Sequence, residues 1–361
     1  MNHPQLEQVD RTHVIWEGRR LLYFGGCDYH RLSSHPLIIR AVEESVRRDG
    51  LNPAASRITT GNHPAYALLE TRMKDFFGTE AAVLTQSGYS ANLILAQAFA
   101  GRFSAVLLDE RAHSSLRDAV TLLGIPCIRF THRNGVDLKL KRAALGEGAV
   151  AILTDGVFWF DGSSAPITEY AQFMKSNDWL WVDDAHGVGV SGRSGRGSLE
   201  SAGLMAGGHI VRTTSLSKAV GSAGGAILGS EEIVAEVWSH SAMFRGGTPL
   251  PVPWVQAANK SLELLSSEGI VLRNQLMVNA QTIRSRAHFI QGEGPILTMF
   301  PMSSDSESIK HLFLEHGIYP AVINYEGTEI VRAVISSLHS VSELNRLANC
   351  FHELSILPAR I

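Results

Sequence analysis

The chain has 361 residues, 45% of them hydrophobic and 19% charged, with a formal charge of -3. That length exceeds one ordinary core, so one large domain plus a smaller one is expected, and the near-neutral charge without a long basic run argues against an electrostatic nucleic-acid binder. Three scattered cysteines, Cys27, Cys127 and Cys350, exclude a disulfide framework and a zinc site, so no metal is expected and a reducing compartment is favoured.

In chain order, the opening "MNHPQLEQVDRTHVIWEGRR" lacks the apolar stretch of a secretory signal. No later apolar run reaches the ~20 residues of a membrane span, so a cytoplasmic protein without a membrane partner is expected. A strand gives way to "SGYSANLILAQAFA", a helical pattern starting near Ser87. "AVLL" (105–108), "AVAILT" (149–154), "WLWVD" (179–183), "HIVRTT" (209–214) and "GGAILG" (224–229) read as buried strands, with the helical "ITEYAQFMKS" among them. Continuously apolar strands separated by helices predict an α/β fold with a mainly parallel, doubly wound sheet. The proline-rich "GGTPLPVPW" (246–254) breaks that alternation, and a long helical pattern follows over about 253–290. Strands near "PILTMF" and "EIVRAVIS", with helices near 305–315 and 341–352, predict a small C-terminal α+β domain. The expected division is 1–35 as an N-terminal segment, 36–255 as the large domain and 256–361 as the small domain with its connecting helix.

Ligands of such sheets gather at the carboxyl ends of the strands. Four polar clusters fall there. In "TTSLSKAVGSAGG", Lys218 stands among Thr214, Ser215, Ser217 and glycines that permit close backbone approach. A lysine just past a strand is commonly a surface cation, but these hydroxyls and amides suit an anionic group such as a phosphate. In "VDDAHG", Asp183 closes an apolar strand, and a buried carboxylate requires a donor or cation. A helix cap or an ion pair would serve. So would a pyridinium nitrogen, and Lys218 nearby favours that reading, because pyridoxal phosphate requires an acid, a Schiff-base lysine and a phosphate cup. In "TQSGYSAN", Ser87, Gly88 and Tyr89 open a helix whose free amides can hold a phosphate. In "DERAHSSL", His113 follows a strand end, either solvated or lying flat on an aromatic cofactor.

Together the ordered fragments "SRITTG", "SGYSAN", "HSSL", "VDDAHGVGVSGRSGRGS", "SLSKAVGSAGG" and "SSLH", from about Tyr23 to Leu354, resemble the α-oxoamine synthase family of fold-type I pyridoxal-phosphate enzymes. The resemblance implies a large domain with a mostly parallel seven-stranded sheet between helices, and a smaller C-terminal domain. It implies that Lys218 forms the Schiff base and later moves the α-proton, that Asp183 pairs with the pyridine nitrogen, and that His186 bonds the phenolic oxygen. His113 would stack on the ring, and the Ser87–Gly88–Tyr89 backbone with Ser215 would hold the phosphate. Arg332, seven residues before His339, would clamp the substrate carboxylate as a planar fork. Thr248 would reach the phosphate of a partner subunit, since the resemblance implies a homodimer with sites at the interface. The implied reaction is a decarboxylating condensation of a small amino acid with an acyl thioester. An aldol-type cleavage or an aminotransfer needs the same lysine and aspartate and stays open.

Several positions depart from the family pattern. Cys27 replaces an asparagine, Asp155 a glutamate, Trp159 a serine and Tyr66 a histidine, and "LNPAASR" replaces a glycine-rich stretch. The chain also begins about 20 residues late against the family, so a helix on the acyl-donor side is expected to be missing. Cys27 reads as a small packing residue rather than a reactive thiol. With Arg332, Cys27 and Trp159 on the substrate side, these changes predict a different acyl donor, such as a carrier-protein thioester, or a different amino acid, in a specialised biosynthetic pathway.

Overall fold

The structure, a computed structural model, describes residues 4–300, 306–320, 322–325 and 327–356. Its backbone forms two compact units. One runs from His35 to Phe158 and from Ser164 to Ile270; the other takes the residues up to Ser34, Trp159–Ser163 and the residues from Val271 onward. This division differs from the expected 1–35, 36–255 and 256–361. The N-terminal strands β1 (Glu7–Gln8), β2 (His13–Trp16) and β3 (Arg19–Leu22) form an antiparallel sheet. Leu22 at its end exchanges hydrogen bonds with the C-terminal chain, donating to the Gly317 carbonyl at 2.9 Å and accepting from the Tyr319 amide at 2.8 Å. The N-terminal segment therefore folds with the C-terminal residues rather than apart.

The larger unit is built on seven strands. They are β4 (Ala81–Thr85), β5 (Ala105–Asp109), β6 (Cys127–Phe130), β7 (Val150–Asp155), β8 (Trp179–Asp183), β9 (Ile210–Ser215) and β10 (Gly225–Gly229), in the order β4-β10-β9-β8-β7-β5-β6. The pairs β5–β6, β5–β7, β7–β8 and β8–β9 are parallel, and β10 runs antiparallel to β4 and β9. Alternation explains the continuously apolar runs. Val106, Leu108, Ala151, Leu153, Trp179 and Trp181 enter one core cluster, while Leu107, Ile152, Leu180 and Val182 between them are equally buried. Side chains on both faces are therefore covered, as a parallel sheet requires. Phe99 and Trp179 meet in that core with ring centroids 4.9 Å apart.

A buried ion pair fixes the amino ends of β7 and β8. Asp178 accepts from Arg142 Nε at 2.6 Å and Nη2 at 2.8 Å, and from the amides of Val150 and Lys175. At the carboxyl ends β5, β7, β8 and β9 stop at Asp109, Asp155, Asp183 and Ser215. Four helices bear on the argument: α1 (Pro36–Asp49), α2 (Pro64–Phe77), α3 (Gly88–Ala98) and α4 (Ser114–Leu123). The helical pattern expected over 253–290 resolves into two helices, Val252–Ser267 and Gly269–Arg284. The first packs on α1 and α2 and buries Val255, Ala258, Leu262 and Leu265, which draws it into the larger unit.

In the smaller unit β11 (Ile296–Met299), β12 (Val322–Tyr325) and β13 (Thr328–Val334) form an antiparallel sheet in the order β11-β13-β12. The helix expected over 305–315 is observed as Ser306–Glu315, with 305 outside the described residues. The expected small domain runs to 361, and 357–361 likewise lie outside them. Among the described residues no helix is long and apolar enough to cross a membrane.

Candidate active site

At the carboxyl edge of the larger unit's sheet lies a cavity of about 240 Å³, lined among others by Ser87, Gly88, Tyr89, His113, Asp183, His186, Ser215 and Lys218. Eight residues picked from four separate stretches of sequence thus converge on one cavity.

Asp183 ends β8 and is 7% exposed. Its Oδ2 accepts from Asn92 Nδ2 at 2.7 Å and Oδ1 accepts from the Ala185 amide at 3.1 Å. Ser115 Oγ lies 3.5 Å from Oδ2 but only 2.8 Å from His113 Nδ1, to which it donates. Asn92 is itself held, because Thr213 Oγ1 donates to its Oδ1 at 2.7 Å. Asp184, one residue on, points the other way: it pairs with buried Arg212 at 3.2 Å and accepts from the Ser198 amide. The strand's alternation therefore gives the two neighbouring aspartates opposite duties.

His113 caps α4. Its Nδ1 accepts from the Ser115 amide at 3.2 Å, which leaves the proton on Nε2 and fixes the ring. Burial, foremost, and the cations Lys218 and Arg117 lower its pKa, against the opposing pull of Asp183 and Asp118; the imidazole is neutral at neutral pH.

The opening of α3 forms the other wall. Ser87 Oγ accepts from the Ser90 amide at 3.0 Å while Ser90 Oγ accepts from the Ser87 amide at 2.9 Å. This capping box satisfies two of the end's donors. Among the described residues the amides of Gly88 and Tyr89 take no hydrogen bond, as expected of a first turn. Gly88 lies so close to β9 that a Cβ there would come 2.8 Å from Ser215 Cβ. A Cβ at Gly225 would come 2.4 Å from the Ser87 carbonyl oxygen. Ser215 Oγ, 2.8 Å from Ser217 Oγ, completes a cup of amides and hydroxyls.

Other expected residues lie elsewhere. Thr248 is exposed and is not among the lining residues; its carbonyl accepts from Gln86 Nε2 at 3.1 Å. Tyr66 is buried in the core, donating to the Leu250 carbonyl at 2.8 Å. Cys27, Trp159 and Arg332 gather in the smaller unit. Arg332 Nε donates to the Trp159 carbonyl at 2.6 Å, Nη2 lies 3.6 Å from Cys27 Sγ, and the guanidinium carbon is 5.8 Å from the indole centroid.

The sequence reading did not single out Asn92, Ser115 or Thr213 as site residues. An amide within the otherwise apolar "ANLILA" was the available signal for Asn92.

Residues 20–351 match the model of the family "Aminotransferase class I and II". The chain belongs to this family. Within it, the chain is 33% identical to an 8-amino-7-oxononanoate synthase of Thioalkalivibrio sulfidiphilus, over 95% of this chain and 90% of that protein. It is 33% identical to another of Methylococcus capsulatus, over 95% and 91%. Its fold superposes on serine palmitoyltransferase from S. paucimobilis with bound PLP and myriocin at a TM-score of 0.91, with 24% identity over 98% of this chain and 92% of that one. This aminotransferase-family chain is thus a pyridoxal-phosphate enzyme of the α-oxoamine synthase type, an acyltransferase class. The expected fold, coenzyme and family are borne out.

The lining residues fit the coenzyme. A carboxylate fixed by two amide donors suits a protonated ring nitrogen, unclaimed helix amides beside two serine hydroxyls suit a phosphate, and the close approach at Gly88 and Gly225 leaves backbone where side chains would intrude.

Proposed function

We propose that this enzyme condenses a small amino acid with an acyl thioester, on coenzyme A or a carrier protein, releasing carbon dioxide and an α-amino ketone in a specialised biosynthetic pathway, with an acyl donor or an amino acid other than the pair pimeloyl-CoA and alanine. The observation that carries the proposal is the setting of Arg332. Its Nη1 makes no hydrogen bond among the described residues, while Nε and Nη2 are turned to the Trp159 carbonyl and the Cys27 thiol. A carboxylate taken by that remaining edge lies against an indole and a thiol, surroundings that favour a compact amino acid.

In this reading Lys218 would hold the coenzyme covalently through Nζ, and that amine, freed when the substrate's amino group takes its place, would take the α-proton. Asp183 holds the ring nitrogen protonated; His113 covers the ring and, being neutral, adds no charge against the ring nitrogen. The amides of Gly88 and Tyr89, next to Ser87, hold the phosphate with Ser215, and His186 donates to the phenolic oxygen. The coenzyme supplies the electron sink that makes an α-carbanion accessible. We place Thr248 at the phosphate of a second copy in a homodimer, and the protein in the cytoplasm.

Steady-state kcat/KM for glycine, alanine and serine, each against pimeloyl-CoA and against shorter and longer acyl thioesters, tests the proposal. Preferred turnover of pimeloyl-CoA with alanine overturns it in favour of 8-amino-7-oxononanoate synthase activity and a biotin role, the reading the 33%-identical relatives support. Carbon dioxide and free thiol released in equal amounts mark condensation; neither is released by an aldol-type cleavage or an aminotransfer. Lys218→Ala is expected to abolish the visible absorbance of the coenzyme-loaded protein and to lower turnover by about 10³-fold or more.

A further inference from the structure

Asp155 ends β7 in register with Asp183 at the end of β8, and both line the cavity. It is 2% exposed. Among the described residues one hydrogen bond reaches its carboxyl: the His113 amide donates to Oδ2 at 2.8 Å. That bond ties the cap of α4, and with it the imidazole, to the end of β7.

Two carboxylates side by side at buried strand ends do not both ionise readily. Their partners differ: Asp183 accepts from the Asn92 side chain and the Ala185 amide, whereas Asp155 accepts from one amide. The charged groups that act on Asp155 are Asp183, Asp109 on the neighbouring strand β5 and Lys218. Burial, foremost, and the two aspartates hold its carboxyl well above the usual carboxylate range, against the opposing pull of Lys218 and the His113 amide. A neutral carboxyl that accepts on one oxygen carries an O–H on the other.

Strand order says what that O–H meets. Ser215 and the opening of α3 lie on one side of Asp183, toward β9 and β4, and Asp155 lies on the other. Pyridoxal phosphate carries its phosphate arm on one edge of the ring and its phenolic oxygen on the opposite edge. With the ring nitrogen on Asp183 and the phosphate toward α3, the phenolic edge faces β7. We propose that Asp155 donates its carboxylic O–H to the phenolic oxygen of the bound coenzyme while its other oxygen anchors the His113 amide. The phenolic oxygen has lone pairs for both this donor and His186. The inference rests on the coenzyme and Lys218 assignments above and is independent of which acyl donor is used.

A donor at this oxygen draws negative charge away from the lysine-bound nitrogen beside it, so the coenzyme's long-wavelength, protonated form gives way at a lower pH. The test is the pH midpoint of the visible absorbance change of the coenzyme-loaded protein without substrate, which reads the spectrum and not turnover. Asp155→Leu removes the donor, and its midpoint is expected to rise by about one pH unit. An unchanged or lower midpoint overturns the proposal. Asp155→Asn keeps an acceptor for the His113 amide and a weaker donor, so its midpoint is expected within about half a unit of the original or above it. A fall of half a unit or more means that an anion was removed and overturns the proposal. Should Asp155→Leu fail to retain coenzyme, Asp155→Asn decides alone. A wild-type protein that stays colourless with added coenzyme defeats the Lys218 assignment as well, an outcome distinct from a shift of the wrong sign.

Discussion

Residue by residue, the site works by giving similar groups different partners. Asp183 and Asp184 are neighbours, yet one accepts from amides at the cavity and the other pairs with a buried arginine. Burial outweighs Arg212 and pushes the Asp184 carboxyl up to about 6. Asp183 takes its shortest hydrogen bond from Asn92, whose amide is fixed by Thr213. Asn92→Leu leaves that carboxylate short of a charge-assisted donor, a loss worth about 1.5–3 kcal/mol. Coenzyme affinity is therefore expected to fall about ten- to hundred-fold, measured by absorbance titration. Unchanged affinity would show that the Ala185 amide suffices.

Among the elements, the strand ends and the opening of α3 form the working parts, and close packing holds them. Gly225 starts β10 directly behind the Ser87–Gly88 turn, where an added Cβ meets backbone atoms at 2.4 and 2.5 Å. Backbone cannot swing aside as a flexible side chain can, so Gly225→Ala displaces the turn. Overpacking of this kind costs about 1–3 kcal/mol. A lowered melting temperature and weaker coenzyme binding are expected together, by thermal denaturation and absorbance titration. Loss of stability without loss of affinity would separate β10 from the phosphate cup. At this scale the sequence was legible where hydrophobicity ran unbroken: β8 spans Trp179–Asp183 as the apolar run does. It was less legible at the edge of the sheet, where β6 has exposed Cys127 and Arg129, because an edge strand need not be apolar on both faces.

For the whole molecule, the smaller unit carries its own pH dependence. His339 is buried against Phe24, with ring centroids 4.3 Å apart. Its Nδ1 accepts from the Ser336 amide at 3.0 Å and its Nε2–H donates to the Tyr23 carbonyl at 3.3 Å. Burial, foremost, and Arg31 lower its pKa to about 3 from 6.5. A depressed folded-state value means that the unfolded chain binds the proton more tightly. The stabilisation is fully present above pH 6.5 and is lost progressively as pH falls toward 3, by about 1.4 kcal/mol per unit. Denaturant titrations between pH 7 and 5 are expected to show this slope, and His339→Gln to flatten it. An equal slope in the variant would place the acid sensitivity elsewhere.

By itself, the sequence marked the parallel sheet and the coenzyme class through an apolar run, a strand-terminal acid, a helix opening and a lysine among small residues; His186, which also lines the cavity, was reached only through the family resemblance. Tertiary structure alone decided that the N-terminal strands join the C-terminal chain, that Asn92 holds Asp183, and that Asp155 stands beside it with one amide partner. These are pairings between residues far apart in the chain. Hydrogen bonding and mutual repulsion depend on separation in space, which strand register and the packing of helices on the sheet fix together.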